Sequence, residues 1–178
     1  MTPDTEAERE AVIAFLDFDG VIASPRAWVA QSHISDRDTR WLDPISCRLV
    51  AKLVADHNLT LVISSTWRAF GRDRIARCLA PYGMDKALHD DWQTNQWPDG
   101  SRPSELTDWL ERNGHPRFII LDDDGFAWTG EQRAVWTQSC SYNGFQMYNY
   151  DSIGRMGRDD LHRRWLRAHN PNDAGRGR

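Results

Sequence analysis

Ala11-Val12-Ile13-Ala14-Phe15-Leu16-Asp17-Phe18-Asp19-Gly20 is the stretch on which the fold turns. Six apolar residues in succession lack the alternation of a half-exposed strand. They suit a strand buried on both faces, as in a parallel sheet covered by helices. The run breaks at two carboxylates one residue apart, and Gly20 lets the chain leave the extended form so that both acids can face one edge. The pattern recurs twice: Leu59-Thr60-Leu61-Val62-Ile63 runs into Ser64-Ser65-Thr66, and Phe118-Ile119-Ile120-Leu121 runs into Asp122-Asp123-Asp124-Gly125.

Helical signals lie between these runs. Asp43-Pro44 supplies an N-cap and a first helical residue for a helix with Ile45, Leu49 and Leu53 inward. Phe70 to Leu79 reads as a second, with Ile75 and Leu79 inward. Pro103 opens a third, with Leu106, Trp109 and Leu110 inward, stopped by Asn113-Gly114. Residues 85–101 read as loop, 144–150 as a further strand, and 159–168 as an arginine-rich helix with Leu161, Trp165 and Leu166 inward. Strands alternating with helices predict an α/β fold, a three-layer sandwich around a central, mainly parallel sheet. One domain is expected over residues 11–170, between a polar segment at 1–10 and a frayed tail at 171–178. Ligands of such sheets bind beyond the carboxyl ends of the strands. The three polar clusters are expected to meet there.

Composition narrows the classes. The 178 residues are 40% hydrophobic and 27% charged, a globular profile. With 22 Lys+Arg against 26 Asp+Glu the net charge is −4, which argues against a coat bound to nucleic acid by bulk charge. Local patches stay open: residues 152–178 are basic, as a solvated helix or as a contact to a phosphate backbone. All the basic residues but Lys52 and Lys86 are arginines, through genomic base composition or because a guanidinium forks onto phosphate. No apolar run approaches the roughly 20 residues of a membrane helix, so no membrane partner is expected. The polar start is expected to be neither signal nor transit peptide. Cys47, Cys78 and Cys140 form no CxxC and read as reduced thiols, so a cytoplasmic location is expected.

Several carboxylates in one place repel each other unless a cation joins them. A hard, oxygen-seeking ion, most simply Mg²⁺, resolves the repulsion. Two acids at one phosphorus divide the labour, one attacking and one moving the proton. Neither acidic cluster has the glycine position or closing glutamate of an EF-hand loop. Neither a GxxxxGK[ST] phosphate loop nor a Lys-x-Asp-Gly element is present, which disfavours a kinase or ligase.

These residues carry a resemblance. Phe15-Leu16-Asp17-Phe18-Asp19-Gly20-Val21-Ile22 resembles the first motif of the haloacid dehalogenase (HAD) superfamily of phosphohydrolases. The resemblance implies Asp17 as the nucleophile that forms an aspartyl-phosphate, and Asp19 as the group that protonates the leaving oxygen and then activates water. It implies Ser64 as the second-motif hydroxyl on the phosphoryl oxygen, and Mg²⁺ held by Asp17, Asp19, Asp122 and Asp123. The third motif is commonly a lysine; Arg102-Pro103 stands in its place, with Lys86 as competitor. The elements Ser64-Ser65-Thr66-Trp67-Arg68, Arg102-x-x-Glu105-Leu106-x-x-Trp109-Leu110 and Leu121-Asp122-Asp123-Asp124 are similar to the small HAD domains of Swiss army knife RNA-repair proteins, over roughly residues 12–125. In that likeness Ser65, Arg68 and Arg102 join Ser64 as phosphate or substrate contacts, Arg68 alternatively as a supporting one, and Trp67 is read as packing rather than base stacking.

The stretches Asp19 to Ser64 and Ser64 to Arg102 leave no room for a large cap domain once each has housed a helix. An open site resembles family members that act on macromolecules. Loops at 24–40 with Trp28 and at 90–100 with Trp92 and Trp97 are expected to flank it, stacked on bases or folded back onto the body. The resulting expectation is a Mg²⁺-dependent phosphomonoester hydrolase acting on a phosphorylated nucleic-acid end, the 3′ end favoured, or on a nucleotide. The alternatives are a small-molecule phosphatase and a non-catalytic HAD-like binding domain.

Overall fold

A computed structural model describes residues 12–96 and 100–154. The expectations for the N-terminal segment, Trp97, the helix at 159–168 and the basic tail fall outside these residues. Five strands make one sheet: β1 (Val12–Leu16), β2 (Leu59–Ile63), β3 (Leu88–Gln93), β4 (Phe118–Asp122) and β5 (Trp136–Gln138). Their order is β3-β2-β1-β4-β5 and every pairing is parallel. The chain winds outward from β1 to β3, then returns to build β4 and β5 on the other side. The direction reverses between β1 and β4, the switch point where such sheets open a crevice.

Each inner strand feeds both faces, as the unbroken apolar runs require. Ala14, Leu16, Leu61, Ile63, Ile119 and Leu121 face a layer made by α3 (Pro44–His57), α4 (Arg72–Leu79) and α7 (Met147–Gly154). Ile13, Phe15, Val62, Phe118 and Ile120 face α5 (Arg102–Arg112) and α6 (Gly130–Val135). There the Phe15 ring meets Trp109 at 5.3 Å and Phe118 at 5.8 Å, both edge-on, so aromatic packing locks α5 beneath the switch point. Three layers and an all-parallel sheet match the expected α/β class.

The caps follow the sequence signals. Asp43 Oδ1 accepts the backbone N–H groups of Ile45 (3.0 Å) and Ser46 (3.3 Å) at the start of α3, and Ser101 caps α5. Several expectations need correction. Ile45 is 59% exposed; the inner face of α3 is Cys47, Val50, Leu53 and Val54, one step round the helix. Residues 66–70 form a 3₁₀ turn, so α4 begins only at Arg72. The supposed loop at 85–101 contains β3. This is an edge strand in which only Leu88 is buried, so Leu-His-Asp-Asp-Trp-Gln shows no apolar run. Residues 144–150 are not a strand: Gly144 makes an isolated bridge to Cys140, Phe145 plugs the core, and α7 follows. β5 carries no apolar signal because it has three residues, of which Thr137 alone is buried.

Residues 24–40, expected as loop, hold two short helices, α1 (Pro25–Ala30) and α2 (Arg37–Trp41). This excursion closes on itself. Ala23 bridges Leu42, the Ser24 N–H donates to the Trp41 carbonyl (3.0 Å), and Ser24 Oγ donates to Asp43 Oδ2 (3.1 Å). It is a small flap rather than a large cap. No helix among the described residues is long and apolar enough to cross a membrane.

Candidate active site

The sheet register builds the site. Leu16 lies beside Ile63 on one side and Leu121 on the other. The ladder runs one step further: the Asp17 N–H donates to the Leu121 carbonyl (3.0 Å) and the Ser64 N–H to the Leu16 carbonyl (3.1 Å). Asp17, Ser64 and Asp122 therefore leave three adjacent strands at the same level, and all three are buried. After Asp17 the backbone folds over the Phe18 carbonyl, which accepts from the N–H groups of Val21, Ile22 and Ala23. Phe18 is fully buried, and this pins Asp17 inward on one side and leaves Asp19 exposed on the other.

Carboxylate oxygens of Asp17, Asp122 and Asp123 lie within 4.8 Å of one another. Three oxygen donors so close, on a crevice floor, suit a small hard dication, so the residues present fit Mg²⁺. Asp19 does not join this group: its carboxylate accepts from Trp67 Nε1 at 3.0 and 3.2 Å. Of the four acids expected around the ion, three carboxylates are gathered and that of Asp19 stands apart at the Trp67 indole.

Gly20 makes the gathering possible. Its φ of +72° is left-handed, and a Cβ there would lie 2.2 Å from Asp123 Cγ. Gly20→Ala is expected to push Asp123 out of the triad, lowering Mg²⁺ affinity at least about tenfold at a stability cost of about 1–3 kcal/mol. Calorimetric Mg²⁺ titration against wild type measures this; equal affinities would contradict the close approach.

Arg102 stands between the two buried acids of the triad. Its Nη1 donates to Asp17 Oδ1 and Asp122 Oδ2, each at 3.2 Å, while Nε lies 3.6 Å from Glu105 Oε2. Lys86 is no rival. It precedes β3, whose parallel register with β2 puts that end on the opposite edge of the sheet. Arg68, expected near the phosphate as a substrate or supporting contact, donates within the protein. Its Nη1 donates to the carbonyls of Ser64 (2.5 Å) and Ser65 (2.9 Å), and Nη2 to Glu105 Oε1 (2.8 Å). It braces the end of β2. The buried Glu105 joins the two arginines, a role the sequence reading missed although Arg102 and Glu105 share a helix face at i, i+3. The Ser65 hydroxyl supports Asp17 and accepts the Trp67 N–H at 3.3 Å. Ser64 Oγ is buried without a hydrogen-bond partner among the described residues. Such an orphan at the crevice is costly unless something polar meets it.

Expected flanking aromatics are also placed. Trp92 lies on β3 against the main core rather than on a free loop, and Trp28 stacks on Trp41.

Burial raises Asp17 to about 6, with Arg102 pulling the other way, and raises Asp122 to about 7, helped by the Asp17 charge. Asp19 is raised above its ordinary 3.8 by desolvation at the edge of the site, and the Trp67 hydrogen bond partly offsets this. A carboxyl that titrates higher in the folded state than in the unfolded chain takes up a proton on folding between the two values. For Asp17 and Asp122 that interval runs from 3.8 to about 6 and about 7, so their contribution is lost as pH rises through it. Metal-free protein is expected to show a falling thermal midpoint between about pH 5 and 7.5, and saturating Mg²⁺ to flatten the decline. A metal-free midpoint that rises over this interval would contradict the buried acidic pair.

The comparisons with known proteins give one family. A family model described as the HAD domain in Swiss Army Knife RNA repair proteins matches residues 13–149. Neither the curated proteins nor the solved structures searched gave a match.

Proposed function

The chain belongs to the HAD domains of Swiss Army Knife RNA repair proteins, and from that premise we propose that it is a phosphatase that hydrolyses terminal phosphomonoesters of nucleic acid, 3′ ends foremost, through a phosphorylated Asp17. The observation that carries the reading is the triad of Asp17, Asp122 and Asp123 within 4.8 Å at the switch point, with the Arg102 guanidinium reaching into it. With a dication held among them, these acids and the nearby Ser64 hydroxyl, which has no hydrogen-bond partner among the described residues, have the chemistry of a phosphate cradle.

Asp17, Asp122 and Asp123 would hold Mg²⁺, which when bound supplies neutralising charge to phosphate oxygens and to the acids themselves. Asp17 must be ionised to attack, and burial opposes that. Arg102 favours the ionised form by donating to Oδ1. In the first half-reaction the Asp17 carboxylate forms a bond to phosphorus as the ester oxygen departs with its electron pair, and Asp19 gives that oxygen a proton. In the second half-reaction Asp19 takes a proton from water, whose oxygen attacks the aspartyl-phosphate. Free phosphate leaves and Asp17 is restored. Ser64 Oγ donates to a phosphoryl oxygen throughout. The Trp67 indole holds Asp19 at the rim, where a leaving group emerges.

The test is phosphate release in Mg²⁺ from a 3′-phosphorylated oligoribonucleotide, its 5′-phosphorylated counterpart and p-nitrophenyl phosphate, with and without EDTA. Mg²⁺-dependent release that is fastest from the 3′ end is expected. Release from every ester no faster than that of the Asp17→Asn protein would end the catalytic reading. Faster release from the 5′ end would end the 3′ preference.

A further inference from the structure

A groove of about 390 Å³ opens beside Asp19, between the flap and the segment that follows β2. Trp41 comes from the flap side, and Trp67 and Phe70 from the other. Its volume is that of an ordinary small-ligand site. Three further observations define what it would take.

Position is the first. On the reading above, Asp19 protonates the departing oxygen, so the space adjoining its carboxylate receives the leaving group rather than the phosphoryl group. Shape is the second. The walls are aromatic plates set in advance. Trp41 is backed by Trp28, with ring centroids 4.7 Å apart and planes 22° from parallel, and the Arg40 guanidinium covers Trp28 at 3.7 Å. Phe70 is 48% exposed, with the Arg74 guanidinium 4.1 Å from its centroid. Charge is the third. Arg74 is committed to Asp38 through two bonds of 2.5 Å, which also clasp the flap to α4. Arg37, on the same groove, has no hydrogen-bond or ion-pair partner among the described residues.

We propose that this groove is the leaving-group subsite for the terminal nucleoside of a 3′-phosphorylated strand, with the base against Trp41 and Phe70 and Arg37 meeting the next phosphate of the strand. A flat ring with a π-face fits aromatic plates, and a backbone phosphate fits the uncommitted cation. The assignment rests on the phosphatase reading of Asp17 and Asp19.

The experiment is equilibrium binding to the Asp17→Asn protein in Mg²⁺, which leaves the esters intact. A nucleoside 3′-monophosphate is expected to bind about five- to a hundredfold tighter than ribose 5-phosphate. The ratio is expected to fall toward one in Trp41→Ala. Phe70→Ser, at a half-exposed position, gives the same reading should Trp41→Ala fail to fold. Arg37→Ala is expected to lower the log–log salt slope for a 3′-phosphorylated trinucleotide by about 0.7. If the two ligands bind alike and inorganic phosphate displaces both, the groove assignment is overturned while the phosphate site stands. A preference that survives both aromatic variants places the base elsewhere and also overturns it. Failure of every phosphomonoester and of inorganic phosphate to bind removes the phosphatase reading, and the groove assignment with it.

Discussion

Asp17→Asn is expected to lower phosphate release at least about ten-thousandfold while leaving a folded protein that binds phosphate. The amide keeps the shape and the hydrogen-bonding oxygen of the side chain but cannot form the phosphoryl bond, and losses of this order follow removal of a nucleophile. Stability moves the other way from most core substitutions. Both acids titrate high chiefly because they are buried, and the Asp17 charge raises Asp122 further. Neutralising one relieves the other, and Arg102 keeps its bond to Asp122. Metal-free Asp17→Asn should therefore unfold no earlier than wild type at pH 7.5, while its Mg²⁺ affinity falls. Rapid-quench assay with radiolabelled ester, together with calorimetric unfolding, reads both effects. A variant with more than about one per cent of wild-type turnover would exclude Asp17 as nucleophile.

The second large effect belongs to Arg102. Its guanidinium lies 3.2 Å from both Asp17 and Asp122 and 3.6 Å from Glu105, with the side chain 11% exposed. Arg102→Ala removes the cation and leaves buried carboxylates facing each other, a change that typically costs about 3–5 kcal/mol. At pH 7.5 without metal, that loss is expected in denaturant unfolding. It should shrink at pH 5, below the raised values of about 6 and about 7 for Asp17 and Asp122, where both acids are protonated. Mg²⁺ should restore part of it, since a dication answers the same repulsion. Arg102→Lys should fall between the two, because an ammonium is a point charge without the fork that spans two acids. An Arg102→Ala protein as stable as wild type at pH 7.5 would mean that the network does not hold the site together.

How much of this was legible depended on the kind of signal. The runs at Val12–Leu16, Leu59–Ile63 and Phe118–Asp122 are buried on both faces, so apolar continuity exposed them and, at their ends, Asp17, Ser64 and Asp122. β3 and β5 lie at the edges of the sheet, where polar residues break the pattern. Phe145 was visible as an apolar residue, but nothing local told whether it belonged to a strand or, as it does, to a plug before a helix. At the site, Asp123 could be named from its neighbours, yet its position against Gly20 spans more than a hundred residues of sequence. The Trp67 bond to Asp19 likewise joins positions 48 residues apart, and no spacing rule encodes it. Arg68 shows the converse: residue type and place suggested phosphate, and the fold gave its donors to the backbone of Ser64 and Ser65.

The flap between Ala23 and Leu42 has a consequence for how such a protein can be altered. Its two roots are already joined, through the Ala23–Leu42 bridge and the bonds around Ser24 and Asp43. The chain that closes over the groove is therefore an independent splice point. Lengthening its exposed tip near Ser32 and Ser35 adds closure entropy of only about 0.6 kcal/mol per doubling. A grafted helical hairpin there would enlarge the roof, trading access for long strands against enclosure of small esters, while the acids beneath kept their places.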